Sequence, residues 1–273
     1  MSTDTRDGDD LFPKSNDEFD PVESYRMPLM EHLRELRRRL IVVLVAGGIA
    51  FGVCFNWVND IWAFLVAPME VVLAASGREA TMAMTEPLEG FLTLLKVAGV
   101  AALGMSSPVI FYQIWKFVAP GLYDKEKRVV MPLVFSSTVL FLGGAAFCYY
   151  VIFGYAFPFF IGITGNEIAA LLKISSYLNF VTRLLIAFGV CFQLPVIIFF
   201  LARIGLIDHR DMIRFFRYAV VGIFLVASIL TPPDVISQIL MAGPLIVLYG
   251  VGIIVARVFS TKNRDALEDA AAE

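Results

Sequence analysis

The sequence predicts an all-α polytopic membrane protein with six transmembrane helices and both termini on the cytoplasmic side. Of its 273 residues, 58% are hydrophobic and only 17% are charged, and its mean hydropathy is +0.75. This composition lies far outside that of a soluble globular domain. A bilayer core about 30 Å thick needs roughly 20 apolar residues in a helix. The stretches that meet or approach this length are residues 38–58, 89–111, 130–153, 176–201, 217–231 and 236–256.

Residues 1–24 are rich in Asp and Glu and contain few large apolar side chains. Such a segment cannot bury enough apolar surface to fold, so we expect a disordered, acidic cytoplasmic tail. The first span follows Arg34 and the run from Arg37 to Arg39, and no small-residue cleavage pattern follows it, which predicts an uncleaved span. The membrane domain is expected to cover residues 25–257, followed by a cytoplasmic tail at 258–273.

The loop after the first span is the longest of the predicted outer loops. Trp57 and Trp62 are placed to anchor it at the membrane interface, and Pro68 interrupts it. The stretch from Ile61 to Leu73 is amphipathic, so we expect it to lie along the membrane surface.

The interval between the second and third spans, Phe111 to Val130, predicts a structured cap at the membrane surface. Pro120 and its neighbours must break any helix that enters from Trp115. Glu126 lies here among a group of bases, namely Lys116, Lys125, Lys127 and Arg128.

The distribution of Lys and Arg predicts the orientation. Bases collect before the first span, in the cap, between the fourth and fifth spans, and after the sixth. The opposite loops hold only Arg78, Lys173 and, just inside the fourth span, Arg183. The positive-inside rule therefore places both termini in the cytoplasm.

The fifth span is short, because Pro232 and Pro233 stop it. A short span implies local thinning of the bilayer or a strongly asymmetric bundle.

Two carboxylates on the cytoplasmic face, Glu35 and Glu126, are candidates for binding a basic ligand. A guanidinium presents a planar fork that a carboxylate accepts in bidentate fashion, whereas lysine does not. Each charged hydrogen bond contributes about 1.5–3 kcal/mol. A site with two such acceptors would select paired arginines. Alternatively, Glu35 only pairs with Arg39 four residues on, and Glu126 is one charge in a mixed surface loop.

Polar residues inside or beside the spans form a second candidate group. Lys96 either has a function in the membrane or snorkels to its surface, and Gln193, near Pro195, either serves a site or joins helices. Asp234 would cap the sixth helix. A small-solute or ion permease that uses Lys96, Gln193 and Asp234 as a polar path is the alternative function.

The sequence contains no signature of an enzyme. Cys54, Cys148 and Cys191 lie in apolar stretches without C-x-x-C spacing, so we interpret them as small hydrophobic residues. Motifs of the HExxH, GxSxG and Walker types are absent, and no paired intramembrane aspartates indicate a protease. We expect no metal, cofactor or nucleic acid.

Four separated strings, in order, carry a resemblance that covers essentially the whole membrane part. They are HLRELRRRL, SSPVIFYQIWKFVAPGLYDKEKR, FGVCFQLPVIIF and LTPPDVISQ. With these strings the chain resembles the TatC family, the multispanning receptor subunit of the twin-arginine protein translocase.

The resemblance implies a glove-shaped six-helix fold in the bacterial inner membrane. It also implies recognition of twin-arginine signal peptides on folded precursors, single-span partners of the TatA and TatB type, and an oligomeric assembly. Because no nucleotide-binding string exists, the proton-motive force would drive transport.

Matched position by position, the resemblance also implies site residues. Pro68 corresponds to the proline of the first outer loop. Gln193 stands where many relatives have a glutamate, and its neutral amide cannot titrate. The implied signal-recognition patch is Glu35, Arg37, Phe117 and Glu126, and the implied partner-docking surface is Ile229, Leu230, Thr231, Asp234 and Gln238.

Overall fold

The computed structural model describes residues 21–77, 82–83, 87–118, 130–163, 172–231 and 235–272, and almost all of them are helical, as predicted. The strands in these ranges are β1 (Met82–Ala83) and β2 (Leu172–Lys173), which form a short parallel bridge, and short turns separate some of the helices. The helices are α1 (Pro21–Asn56), α2 (Val58–Ala75), α3 (Pro87–Val118), α4 (Val130–Phe147), α5 (Phe153–Ile163), α6 (Ile174–Cys191), α7 (Leu194–Arg203), α8 (His209–Leu230) and α9 (Val235–Ala272). A π-helical turn, Cys148–Ile152, joins α4 to α5 without a break.

The helices extend beyond the predicted apolar spans. α1 begins at Pro21, so residues 21–24 are helical, and Pro21 fits a first helical turn. α9 continues through most of the expected C-terminal tail. α8 has 22 residues, because it begins at His209, where the Asp208 side chain accepts the His209 backbone N–H at 2.7 Å. The short fifth span is therefore only the apolar part of a longer helix.

α2 bears on the predicted number of spans. Seven helical stretches within the described ranges are long and apolar enough to cross a membrane, and one of them is Val58–Ala75. The expected surface helix, Ile61 to Leu73, lies inside it. Its buried side chains, Val58, Leu65, Val66, Met69 and Leu73, form one stripe that faces the bundle. Six spans with a surface helix stays a prediction.

Contacts across the bundle define the relative directions of the central helices. Glu89 of α3 meets Ser175 near the start of α6, and Trp115 near the end of α3 meets Phe200 of α7. α3 is therefore parallel to the α6–α7 pair. α8 and α9 are antiparallel, because Phe224 contacts Gln238 while Met212 contacts Tyr249.

α4 runs antiparallel to α6 and packs against it at backbone distance. An ideal Cβ added to Gly144 would lie 2.7 Å from the Phe188 carbonyl oxygen and 2.9 Å from Cβ of Phe192. One added to Gly189 would lie 2.8 Å from the Phe141 ring. Small residues at these positions allow the two helices to approach closely.

α6 ends at Cys191 and α7 begins at Leu194, with Pro195 in the first turn of α7. Proline lacks an N–H and its ring clashes with the carbonyl four residues earlier, which favours a break in the helix at this point. Gln193 lies at this break.

Candidate functional site

α1 carries the first group of predicted site residues. Arg39 donates from Nη2 to Oε1 of Glu35, one turn earlier on the same helix. Glu35 is half-buried and Arg37 is exposed. The carboxylate predicted to bind a ligand guanidinium thus already holds a guanidinium of its own chain.

The end of α3 carries the next predicted residue, Phe117, which is half-buried. Its neighbour Trp115 is buried, and its indole ring meets the Phe200 ring edge-on at 5.2 Å. Lys116 lies over the Tyr112 ring at 5.5 Å on the exposed side. The last turn of α3 therefore has one face fixed in the bundle and one basic, aromatic face on the surface. Glu126, in the adjoining cap, lies outside the described residues.

Ser137 of α4 connects this end of α3 to the break between α6 and α7. Trp115 Nε1 donates to Ser137 Oγ at 2.8 Å, and Gln193 Nε2 donates to the Ser137 backbone carbonyl at 2.9 Å. Ser137 is fully buried and Gln193 is 8% exposed. Gln193 thus forms an interhelical bond that holds three helical segments in register.

Lys96 and Gln193 are not brought together. Lys96 is exposed on α3, and its Nζ donates to Asn179 Oδ1 on α6 at 2.9 Å. Asn179 and Gln193 are separated by about 20 Å along the α6 axis. These two residues therefore do not form the compact polar path that a permease would use, and Asp234 lies outside the described residues.

The predicted docking residues lie where α8 ends and α9 begins. Ile229 is 78% exposed and Leu230 is partly buried, so an apolar surface is presented here. Thr231 is buried and donates from Oγ1 to the Ala227 carbonyl at 2.9 Å. Gln238 donates to the Phe224 carbonyl at 3.1 Å, which ties the two helices together.

Pro68 lies inside α2 and leaves the carbonyl of Phe64 without its usual helical N–H donor. Tyr149 supplies a replacement, because its hydroxyl donates to the Phe64 carbonyl at 2.6 Å. The Tyr177 hydroxyl donates to the next carbonyl, that of Leu65, at 2.8 Å. Two tyrosines on other helices thus hold α2 at its proline.

This arrangement predicts a compensation between two substitutions. Tyr149→Phe is expected to lower the free energy of unfolding by about 1–3 kcal/mol, because the Phe64 carbonyl loses its donor. In a Pro68→Ala background the alanine N–H replaces that donor, so Tyr149→Phe is expected to have little effect. Thermal unfolding in detergent measures both. Tyr177→Phe is the control that Pro68→Ala should not rescue, and equal losses from Tyr149→Phe in both backgrounds would contradict the assignment.

Glu89, which sequence reasoning missed, is buried at the start of α3. Its Oε1 accepts the Ser175 backbone N–H of α6 at 3.0 Å, whereas Lys173 at the start of α6 provides no side-chain cap. Glu89 therefore caps a helix 86 residues away in sequence. A carboxylate at the edge of an apolar stretch was the only signal in the sequence. Ser137, buried in an apolar stretch, gave none.

No group of three or more His, Cys, Asp or Glu side chains that could hold a metal ion occurs in the part of the chain that the structure describes.

Comparisons with known proteins agree with one another. A model of the protein family described as "Sec-independent protein translocase protein (TatC)" matches residues 31–244. The chain is 42% identical over 241 residues to the Sec-independent protein translocase protein TatC of Helicobacter pylori, covering 88% of this chain and 93% of that protein. It is 43% identical over 242 residues to the corresponding Campylobacter jejuni protein, covering 88% and 98%. A crystal structure of the twin arginine translocase receptor TatC superposes with a TM-score of 0.75 at 34% identity, covering 84% of this chain and 99% of the solved one.

Proposed function

The chain belongs to the TatC family of Sec-independent protein translocases, and from this premise we propose that it is the receptor and core subunit of a twin-arginine translocation system. It is a multi-pass membrane protein and a translocase component rather than an enzyme. In the proposed role, its cytoplasmic face binds the arginine pair of a precursor signal peptide, in the inner membrane of a bacterium.

One observation carries the proposal for the peptide site: the register between α1 and α3. Ala50 of α1 and Ala102 of α3 belong to one buried cluster. Glu35 precedes Ala50 by as many residues as Phe117 follows Ala102, about 15, or roughly 22 Å of helix. With the basic ends of both helices in the cytoplasm, Glu35 and Phe117 reach the same level of the membrane face.

In the proposed role, the pair between Glu35 and Arg39 occupies the Glu35 carboxylate until a peptide binds. Glu35 is half-buried, and Arg39 neutralises its charge in the free protein. A precursor guanidinium would replace Arg39 on the same carboxylate, so one ion pair is exchanged for another. Lysine cannot make the bidentate contact, which favours arginine in the exchange.

We expect Glu35→Gln to weaken binding of a twin-arginine peptide about tenfold, the equivalent of one charge-assisted hydrogen bond. A labelled signal peptide titrated onto the purified protein in nanodiscs measures the change. A twin-lysine peptide at matched salt should bind weakly to both proteins. Glu70→Gln is the matched control, because Glu70 is an exposed carboxylate on α2, away from the basic ends. Equal effects of the two substitutions would show that Glu35 does not bind the peptide.

Glu126 would supply the second acceptor and Arg37 would line the same face. Single-span partners of the TatA and TatB type would dock along α8 and the start of α9, where Ile229 and Leu230 are presented to the bilayer. Asp234 and Gln238 would complete this docking surface. The proton-motive force would drive translocation in an oligomeric assembly of these subunits.

A further inference from the structure

Two cations inside the predicted spans, Lys96 and Arg183, lie exposed on neighbouring helices. Asn179 joins them, because it accepts the hydrogen bond from Lys96 Nζ at 2.9 Å and precedes Arg183 by one turn on the same face of α6. Within the described part of the chain, neither cation forms an ion pair with a carboxylate. The groove between α3 and α6 thus carries two positive charges and an amide.

An uncompensated charge at this depth is unfavourable. Ionisable groups in membrane spans usually face the bundle interior or a water-filled cavity, or pair with a group of opposite charge. Lys96 and Arg183 do not face the interior. Leu92, one turn before Lys96, and Val190, two turns after Arg183, are exposed apolar side chains on the same faces, which suit contact with lipid. We therefore infer that an anion from the surrounding lipid neutralises these two cations.

The direction of the two side chains favours a headgroup phosphate as that anion. Side chains on a helix tilt toward its N-terminus. α3 and α6 begin at the same end of the bundle, where Glu89 caps the first turn of α6 through Ser175. Lys96 and Arg183 therefore both lean toward that membrane surface, as snorkelling cations do.

The neighbouring charges permit an anion at this position. Glu89 is the closest described carboxylate along α3, but it lies two turns from Lys96, is buried, and accepts the Ser175 N–H. Lys173, exposed at the start of α6, adds positive charge on the approach from the membrane surface.

We propose that Lys96, Asn179 and Arg183 form a binding site for the phosphate of an anionic phospholipid. In the predicted orientation this lipid belongs to the outer leaflet. Arg183 offers a guanidinium fork to two phosphate oxygens, and Lys96 offers a point charge held in place by Asn179. The site is separate from the cytoplasmic peptide site, so either proposal can fail without the other.

The test uses the full chain, purified in detergent and stripped of lipid. Native mass spectrometry measures binding of phosphatidylglycerol, of diacylglycerol, which lacks phosphate, and of inorganic phosphate. We expect phosphatidylglycerol to bind and diacylglycerol to bind much more weakly. The combined change Lys96→Gln and Arg183→Gln should weaken phosphatidylglycerol binding about tenfold or more. The combined change Arg210→Gln and Arg214→Gln, which removes the same charge from exposed cations of α8, should leave it unchanged.

If the double variant folds poorly, Arg183→Gln alone still tests the proposal. This substitution removes no described contact of Arg183, so we expect the variant to fold, and it should weaken lipid binding severalfold. Equal lipid binding by wild type and variants would overturn the proposal. So would equal occupancy by inorganic phosphate, which would mean that the lipid chains contribute nothing. If the variants keep the lipid but lose a co-purifying single-span subunit, the cations bind an acidic side chain of that partner, and the lipid proposal fails.

Discussion

A Gly144→Ala variant is expected to lose about 1–3 kcal/mol of unfolding free energy, although it adds only one methyl group. The new carbon would lie 2.7 Å from the Phe188 carbonyl oxygen and 2.9 Å from the Phe192 Cβ. Both atoms are fixed by the α6 backbone, so no side-chain rotation relieves the contact and α4 must move away from α6. Thermal unfolding of the detergent-solubilised protein measures the loss.

Gly143 provides a matched control in the adjacent position. An added Cβ at Gly143 meets nothing within 4 Å. Alanine is favoured over glycine inside a helix by about 0.5–1 kcal/mol, so Gly143→Ala should leave the protein equally or slightly more stable. If Gly143→Ala and Gly144→Ala shift the unfolding temperature equally, close packing at Gly144 is not what limits the approach of the two helices.

Trp115→Ala is expected to cost more, about 3–5 kcal/mol, because it opens a cavity among α3, α4 and α7. It also removes the donor to Ser137 Oγ and the edge-on contact with Phe200. Because Phe117 follows two residues later, we also expect weaker binding of the twin-arginine peptide. Thermal unfolding and the peptide titration measure the two effects.

Trp115→Phe separates the ring from its hydrogen bond. It keeps most of the apolar contact and loses the Nε1 donor, so we expect a loss of only about 1 kcal/mol. Trp57→Ala is the control, because Trp57 is 55% exposed and makes little buried contact. A Trp115→Ala variant no less stable than Trp57→Ala would contradict the structural role of Trp115.

The apolar spans were predictable because a bilayer demands length and hydropathy, which are local properties of the sequence. Helix ends were not, because a helix that leaves the bilayer can continue in water as long as its backbone hydrogen bonds persist. α1 therefore begins at Pro21 and α9 reaches Ala272. α2 likewise extends past both ends of the predicted surface helix, Ile61 to Leu73, although that helix already included Pro68.

The same distinction between local and long-range features decides which contacts of the candidate site were predictable. The pair between Glu35 and Arg39 followed from their spacing of four residues on one helix. The bonds to Ser137 did not, since its partners are 22 and 56 residues away and only the packing of three helical segments brings them together. Pattern predicts which face of a helix is buried, but it does not predict which side chain that face meets.

The burial of Trp115 also has a spectroscopic consequence. The chain has three tryptophans, and Trp57 and Trp62 lie near the opposite end of α3, roughly 20 Å or more from Trp115. Among the described hydrogen bonds, Trp115 alone of the three donates from its indole nitrogen, near the C-terminal end of α3, and its ring lies against Phe200. Its fluorescence therefore reports on that end of the molecule without an added label. A shift in the Trp115 emission when a signal peptide binds would arise two residues from Phe117. A change near Trp57 and Trp62 would leave the Trp115 emission unchanged.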